Sequence, residues 1–404
     1  ETNANVYYDG GAGQWMAALD VPSLDVWDML YVKLNEAAHV LYQDENGVEL
    51  ERSSDLVGHT GEKINYSTKE TIDNYLKKGY ELVENGFDAD GQPNFDRDAT
   101  NTNEDGVQEF IVRLAPKIVE FSATQPIQAG QVVPGDSEGR VYPTPLAPAG
   151  QTTADLNHLS ETVTRTVTYV TENQDGSNRQ PAGIADQTDS LHFTRKGTIN
   201  LVTGETSLED WTAQDGTSFA ALENPVKKGY VVVAEESTDV ASSDLTKAGE
   251  HTGIHADAAD ITDTVIYRPV GAYKISYATG KEPAHAQKEI PYLNDPTNPT
   301  AIASPTAILP YVEGLEPKDA RGQVLNLVDP LDETKGYLLP SPESPTADTA
   351  ISYAIAKGSV RVRFLTEGGD TDLREAQNLA TEADFGTKYT SEAPTEITKD
   401  GRIY

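Results

Sequence analysis

Oxygen-bearing side chains are concentrated in one stretch of the sequence, residues 88–105, which we call the acidic segment. Calcium takes about six to eight hard oxygen ligands, and carboxylates two positions apart can lie on one side of a turn. An EF-hand loop is excluded, because Pro93 takes the place of its glycine and Arg97 precedes the position of its glutamate. The pattern favours a solvated acidic loop. The alternative is a calcium site, the one cofactor that the sequence suggests, whose candidate ligands are Asp88, Asp90, Asp96 and Asp98.

Two patterns associated with catalysis stand in the wrong context. Residues 135–139 have the Gly-x-Ser-x-Gly spacing of a hydrolase nucleophile, but a proline precedes them, and neither a buried strand nor a following helix is predicted. His251 and His255 have the spacing of one helical turn, yet Thr252 and Gly253 disfavour a helix, so we interpret them as loop residues and not as a metal site. No pair of carboxylates stands out as acid and base. The sequence therefore predicts that the protein is not an enzyme.

Aromatic side chains are the second group that could contact a ligand. The rings of Tyr66, Tyr80, Trp211 and Tyr230 could stack on the apolar face of a sugar. Aromatic residues on alternating strands are more often part of the core, and we favour that interpretation. The residues of a glycan-binding site are therefore left unassigned.

Charge and composition limit the partners. The 404 residues carry a formal net charge of −34, which repels nucleic acids and anionic membrane surfaces. No apolar run is long enough to span a bilayer, so membrane insertion is not expected. The absence of cysteine excludes disulfides, thiolate zinc sites and cysteine nucleophiles. Because the sequence begins at Glu1 without a leader, we expect either a removed signal or an excised fragment.

A short motif recurs along the chain and points to a repeated unit. Lys-Lys-Gly-Tyr stands at 77–80 and 227–230, each time before an apolar run, and related versions stand at 334–337 and 399–404. A glycine before an aromatic β-former is typical of a turn that leads into a strand. We therefore predict a repeated supersecondary unit, with Gly79 and Gly229 in equivalent turns that enter equivalent strands.

The rest of the pattern is mainly that of β-strands. Alternating apolar residues run into glycine turns at 39–47, 166–176 and 360–369, and the first of these predicts a hairpin. One short helix is predicted between Ser67 and Gly79, with the capping-box spacing of Ser67 and Glu70 at its start.

Three Pro-rich stretches separate the predicted units. They occupy residues 116–150, 283–317 and 340–345. Such stretches act as semi-rigid connectors, and we interpret them as linkers and not as core. For 283–317, ordered loops within a domain are an equal alternative.

Residues 39–113 resemble the mucin-binding repeats of Gram-positive surface proteins, especially the mucus-binding adhesins of lactobacilli. The motifs that carry the resemblance occur in order at 41–47 (Leu-Tyr-Gln-Asp-Glu-Asn-Gly), 58–62 (Gly-His-Thr-Gly-Glu), 64–68, 71–83 and 95–112. Residues 134–136 and 141–143 resemble the linker between modules of this family. Residues 163–170 resemble the opening of its second module type, and 193–195, 203–204, Trp211 and 229–230 continue that pattern.

The resemblance implies a mainly β protein with short helices (α+β), built as an elongated string of β-grasp, ubiquitin-like modules. The predicted boundaries are 1–36, unassigned and expected to end a preceding module; 37–115, a mucin-binding-type module; 116–154, a Pro/Gly-rich linker; 155–270, a second such module; 271–357, a diverged module; and 358–404, the start of a further, truncated module.

The function that the resemblance implies is adhesion. An extracellular segment, anchored to the cell wall in the full-length protein, is expected to bind host mucin glycans through repeated weak sites, as a monomer. Some members of the family bind immunoglobulins, which are therefore second candidate partners. No catalytic residues can be carried over from the family. The alternatives are a structural stalk and, least favoured, a polysaccharide-degrading enzyme.

Overall fold

The computed structural model describes residues 35–89 and 91–404 in full. Before them it describes the backbone of two antiparallel strands, β1 (Ala4–Asp9) and β2 (Gln14–Leu19). The chain divides into two compact units. The first ends at Glu161 and also takes in His192–Gln214, and the second comprises Thr162–Leu191 and Asp215–Tyr404. Strands predominate in the described residues, which hold one α-helix, so the prediction of a mainly β protein is confirmed.

The first unit contains a five-stranded sheet, which together with its helix we call the first module (residues 35–116). Its elements are β3 (Asn35–Gln43), β4 (Glu49–Arg52), β5 (Leu56–His59), α1 (Lys69–Lys77), β6 (Tyr80–Asn85) and β7 (Val107–Pro116). The sheet order is β4-β3-β7-β6, with β5 also paired to β3, and the central strands β3 and β7 are parallel. Tyr42, Ile64 and Phe87 lie at the centre of its core.

The hairpin of β3 and β4 forms where the alternating pattern meets an Asn-Gly turn. Gly47 adopts a φ of +82°, which glycine tolerates without strain. The Asp44 carboxylate accepts hydrogen bonds from the backbone N–H groups of Asn46 (2.9 Å) and Val48 (2.8 Å), which fixes the turn. The predicted hairpin is confirmed.

Helix α1 also forms as predicted, but its start differs. Thr68, not Ser67, is the N-cap residue, and its side chain makes no capping hydrogen bond. The Thr68 hydroxyl donates instead to the Asp88 carboxylate (2.8 Å). The predicted capping box is therefore wrong: the Ser67 oxygen accepts the N–H of Lys69 (3.4 Å), and the Thr68 oxygen accepts the side-chain amide of Asn85 (2.9 Å) instead of a helix N–H. Ile72 and Tyr75 face the core, as their spacing predicts.

Short strands fill most of the following stretch. In chain order they are β8 (Ile118–Phe121), β9 (Ser160–Thr171), β10 (Gln180–Pro181), β11 (Gln187–Thr194), β12 (Gly197–Asn200), β13 (Thr206–Leu208), β14 (Thr212–Ala213), β15 (Ser218–Phe219), β16 (Leu222–Glu223), β17 (Tyr230–Ser237), β18 (Lys247–Ala248), β19 (His251–Thr252) and β20 (Ile261–Pro269). A single 3₁₀ turn, Asp155–Asn157, precedes β9.

The last third of the chain contains ten further strands. They are β21 (Ala272–Tyr277), β22 (Glu289–Pro291), β23 (Ile308–Leu309), β24 (Leu315–Lys318), β25 (Tyr337–Leu338), β26 (Thr349–Ile355), β27 (Lys357–Leu365), β28 (Asp372–Asp384), β29 (Thr398–Lys399) and β30 (Arg402–Ile403). A 3₁₀ turn, Glu333–Lys335, precedes β25.

The stretch predicted as a linker, 116–154, supplies core side chains. Strand β8 pairs with β12, which pairs with β13. We call residues 117–159 and 197–208 the small sheet body. Its core consists of Phe121, Ile127, Val133, Tyr142, Leu156, Leu159, Ile199 and Leu201. The interpretation of 116–150 as connector and not core is therefore wrong for the four aromatic and aliphatic residues that it contributes. Residues 283–317 likewise bury Tyr292 and Leu309, which agrees with ordered loops.

The chain builds the same strand arrangement in three places. An opening strand runs parallel to a closing strand, whose other side pairs with an antiparallel strand. The sets are β3, β7 and β6 in the first module; β9, β20 and β17 in the second module (residues 162–191 and 215–269); and β21, β26 and β24 in the third module (residues 271–355). The first two sets share a register shift, between Leu82 and Glu84 and between Val232 and Ala234, two residues into the third strand. A bulge at matching positions identifies them as repeats.

The glycine turns of the first two modules are equivalent, as predicted. Gly79 and Gly229 have φ values of +99° and +80°. The residue after each glycine pairs with the last residue of the closing strand, Tyr80 with Pro116 and Tyr230 with Pro269.

The third predicted copy of the motif is wrong. Tyr337, which follows Gly336, begins β25 and pairs with β23, not with a closing strand. The equivalent glycine is Gly314, at a φ of +77°, and Leu315 after it pairs with Ile355 at the end of β26.

The fourth predicted copy is a different structure as well. Asp400 and Gly401 have φ values of +50° and +75° and form the two-residue turn between β29 and β30. Positive φ at both positions is the requirement of a type I′ hairpin turn.

Candidate functional site

The four aromatic residues considered for sugar stacking have different surroundings. Tyr66 and Tyr80 pack against the core of the first module, and Tyr230 packs against the core of the second. Their rings therefore serve the fold. Trp211 is instead surrounded by polar and charged side chains of the first unit, which makes it the candidate ligand contact among the four.

Trp211 is supported by groups next to the beginning of β9 and the end of β11. The guanidinium carbon of Arg195 lies 4.4 Å from the indole centroid, and the His158 ring meets the indole edge-on at a centroid distance of 5.5 Å. Arg195 is itself fixed, because its Nε donates to the carbonyl of His158 (2.9 Å) and its Nη2 to that of Asp155 (3.3 Å). The indole is half-buried, and these contacts define the plane of its ring.

Hydrogen-bonding groups surround this aromatic cluster. His158 Nε2 lies 2.6 Å from the Glu161 carboxylate. The backbone N–H and the hydroxyl of Thr152 bond to the Asp155 carboxylate (2.6 and 2.8 Å) and lower its pKa, so it is ionised at neutral pH. An apolar ring face with polar groups at its edge suits a pyranose, whose C–H face stacks while its hydroxyls form hydrogen bonds.

The predicted calcium ligands have separate local roles in the structure. Asp88 accepts a hydrogen bond from the Thr68 hydroxyl (2.8 Å). Asp96 Oδ1 accepts one from the backbone N–H of Asp98 (3.0 Å), which closes a short turn. Asp90 lies outside the described residues. Within the described part of the chain, no three His, Asp or Glu side chains are grouped to hold a metal ion, and the calcium site stays a prediction.

A buried ionic cluster in the second module was missed by sequence reasoning. Arg165 Nε donates to Asp263 Oδ2 (2.7 Å), and both side chains have an exposed fraction of 0%. The two ring nitrogens of buried His251 lie 3.0 Å from Asp263 Oδ2 and 3.0 Å from Asp239 Oδ2. The Ser237 hydroxyl donates to Asp263 Oδ1 (2.6 Å). Since His251 belongs to β19, its interpretation as a loop residue is wrong.

This ionic cluster connects elements of the module and has no free reactive group. Arg165 Nη1 and Nη2 donate to the carbonyls of Ala220 and Gly249 (2.7 Å each), so all three guanidinium nitrogens are bonded. Ala220 lies between β15 and β16, and Gly249 between β18 and β19, so the guanidinium ties these short strands to β9. The Ser237 hydroxyl is bonded to the Asp263 carboxylate and not to a histidine, so the Ser–His pair of a typical serine nucleophile is not formed here.

A sequence signal for this cluster did exist. Val163, Arg165, Val167 and Tyr169 alternate on the buried face of β9, and Asp263 stands between Ile261 and Val265 on the buried face of β20. A charged residue at an inward position of each of two strands predicts a buried pair.

Two family models match the chain. Residues 36–115 match the model described as Mucin binding domain, and residues 154–271 match the model described as Muc B2-like domain. The resemblance to the mucin-binding repeats of Gram-positive surface adhesins, which the sequence motifs predict, is confirmed by these matches. No curated protein matches the chain.

Solved structures of such repeats are also similar to this chain. The crystal structure of Mub-RV is 25% identical, with 58% of this chain and 98% of that chain covered and a TM-score of 0.35. The type 2 repeat of the mucus binding protein MUB from Lactobacillus reuteri is 23% identical, with coverages of 58% and 99% and a TM-score of 0.28. The mucin-binding domain of Spr1345 from Streptococcus pneumoniae is 18% identical, with coverages of 28% and 92% and a TM-score of 0.21.

Proposed function

We propose that the chain is a segment of an extracellular adhesin that binds mucin glycoproteins through their glycans. The observation that carries this proposal is the pair of family matches, one to the Mucin binding domain and one to the Muc B2-like domain. None of the helices in the described part of the chain combines the length and the apolar character needed to cross a membrane.

Trp211 is the proposed first glycan contact. Its indole stands in a plane fixed by Arg195 and His158, and stacking needs such a preorganised ring. The sugar is proposed to be a neutral hexopyranose, because the net charge of −34 disfavours sialylated and sulfated residues. One stacked sugar binds weakly, and linked weak sites raise the overall affinity through their effective concentration.

The proposal also covers the type of module, the anchoring of the full-length protein, the oligomeric state and a second class of partner. The modules are of the β-grasp type, the two mucin-binding-type modules are those predicted at 37–115 and 155–270, and the full-length protein is anchored to the cell wall. The segment acts as a monomer, and immunoglobulins are the second class of partner. These statements rest on the resemblance to the mucin-binding repeats.

Binding to immobilised mucin tests the proposal. We expect saturable binding by the whole chain that falls strongly when the mucin is chemically deglycosylated. Trp211→Ala should weaken binding, while Trp211→Phe, which keeps an aromatic face, should retain most of it. Unchanged binding after deglycosylation would contradict glycan recognition, and no saturable binding would favour the structural stalk. Retained binding by Trp211→Ala would remove this residue and leave the function standing.

A further inference from the structure

The three equivalent glycine turns share a contact with the chain beyond their own strands. In each, the glycine carbonyl accepts the N–H of the residue that follows the closing strand: Lys117 to Gly79 (2.9 Å), Val270 to Gly229 (3.0 Å) and Ala356 to Gly314 (2.9 Å). Each donor is the first residue after its module, so the hydrogen bonds between the antiparallel strands continue one residue beyond the end of the module. The turn is thereby bonded to the start of the next part of the chain.

At the first turn, the small sheet body closes over the glycine. The Lys117 carbonyl accepts the N–H of Leu201 (2.9 Å), a core residue of that body. A Cβ at Gly79 would lie 2.5 Å from the Leu201 carbonyl oxygen, which is closer than any side chain allows. From the other side, Arg140 Nη1 donates to the Tyr80 carbonyl (2.9 Å). Two independent segments of the small sheet body thus hold one turn.

At the second turn, a side chain of the third module makes the equivalent contacts. The Asn294 amide accepts the N–H of Gly229 (2.7 Å) and donates to the carbonyl of Tyr230 (2.6 Å). The N–H of Val232, at the shared bulge, donates to the Pro299 carbonyl (2.9 Å). A bulge leaves backbone groups without ladder partners, and here the next module supplies one.

At the third turn, the aromatic ring of Phe385 takes the covering position. The N–H of Phe385 donates to the Ala356 carbonyl (2.9 Å), as that of Leu201 does to Lys117. A Cβ at Gly314 would lie 2.4 Å from the Phe385 ring. At Gly79 and Gly314 a carbonyl and a ring thus occupy the space over the glycine, whereas at Gly229 the Asn294 amide bonds the turn without filling that space.

We propose that each of these glycine turns is an interaction surface whose partner is the next body of the same chain. Positive φ alone explains the glycine at position 229, where no atom lies within 4 Å of the point that a Cβ would occupy. At position 79 glycine is required for a second reason, because the Leu201 backbone occupies the space that a Cβ would take. The turns thus couple adjacent bodies within each unit, so that ligand contacts on neighbouring bodies keep a fixed relation. Such coupling determines the effective concentration of linked weak sites.

The difference between Gly79 and Gly229 provides a matched pair of variants. Gly79→Ala and Gly229→Ala both place alanine at positive φ, but only Gly79→Ala meets the backbone of the next body. Hydrogen exchange is measured on the whole chain of each variant. Gly79→Ala should accelerate exchange of the Leu201 amide, and Gly229→Ala should accelerate exchange of the Val270 amide much less. We expect the first acceleration to exceed the second by ~10-fold or more. Amides of the central strands β3 and β7 should keep their protection.

Two further variants keep the test decisive. If Gly79→Ala does not fold, Arg140→Ala should produce the same selective exposure of Leu201. Asn294→Ala should accelerate exchange of the Val232 amide without affecting Leu201. The proposal is overturned if Leu201 exchanges equally in Gly79→Ala and Gly229→Ala, or if Val232 stays protected in Asn294→Ala. Either result would show that these glycines serve only their own turns and do not hold the next body of the chain.

Discussion

Removal of the Arg165 side chain should destabilise the second module more than any change at an exposed arginine. Arg165 forms hydrogen bonds to the Asp263 carboxylate and to the carbonyls of Ala220 and Gly249, all at 2.7 Å. In Arg165→Leu the leucine side chain replaces the methylene stem, but the Asp263 carboxylate loses its cation, and the carbonyls of exposed Ala220 and buried Gly249 lose their donor. Breaking a buried pair on one side costs about 3–5 kcal/mol.

The magnitude also follows from the individual groups. Each buried acceptor left without a partner costs about 1–3 kcal/mol, and two are affected, the Asp263 carboxylate and the Gly249 carbonyl. His251 and Ser237 remain beside Asp263 and retain part of its stabilisation, which keeps the expected total near the range of about 3–5 kcal/mol. A double variant, Arg165→Leu with Asp263→Leu, should recover only part of the loss, because the two carbonyls stay unpaired.

Urea unfolding monitored by hydrogen exchange of β9 and β20 amides measures this loss within the module. The matched control is Lys247→Leu in the same module, which removes a cation 2.9 Å from the Glu223 carboxylate, where both side chains are exposed (43% and 75%). Exposed pairs contribute about 0–1 kcal/mol, so the control should be nearly silent. Equal effects of the two substitutions, or a loss below about 1 kcal/mol for Arg165→Leu, would refute the argument from burial.

Three further outcomes are expected. Burial raises the pKa of Asp136, but hydrogen bonds from Arg140 outweigh burial and hold the pKa below the ordinary 3.8. The first unit should therefore lose stability as pH falls through that lowered value. In Asp136→Asn, acid titration should lack this loss of stability. Tyr267→Phe deprives the Pro225 carbonyl of a 2.6 Å hydrogen bond and should cost about 1 kcal/mol in urea unfolding, while a neutral result would show that water replaces the hydroxyl. Millimolar calcium should leave the melting temperature unchanged against chelator at matched ionic strength, and a rise that Asp88→Asn abolishes would instead establish the calcium site.

Local patterns predicted the elements that depend on local interactions. The hairpin at Asn46-Gly47 and the helix that buries Ile72 and Tyr75 form because their turn chemistry and spacing leave few alternatives. The equivalence of Gly79 and Gly229 was visible because an aromatic residue follows both. Gly314 escaped detection because leucine follows it, although the strand needs only an apolar residue at that position.

Tertiary partners explain what the sequence did not predict. The Thr68 oxygen could cap its helix, yet it accepts the side-chain amide of Asn85, seventeen residues away. The region around Tyr142 has the composition of a linker, and its burial depends on Ile199 and Leu201 from a distant strand. Trp211 could not be distinguished from the tyrosines, since its half-buried position depends on Arg195, which is sixteen residues away.

The salt dependence of saturable binding to mucin tests the central claim most directly. The whole chain is titrated over immobilised mucin at low and at high salt, beside an acidic β-protein of similar charge. The account predicts saturable, glycan-dependent binding that higher salt preserves or strengthens, because screening reduces repulsion from the −34 charge while stacking on neutral sugars persists. Binding no greater than that of the control protein at both salt concentrations would contradict it.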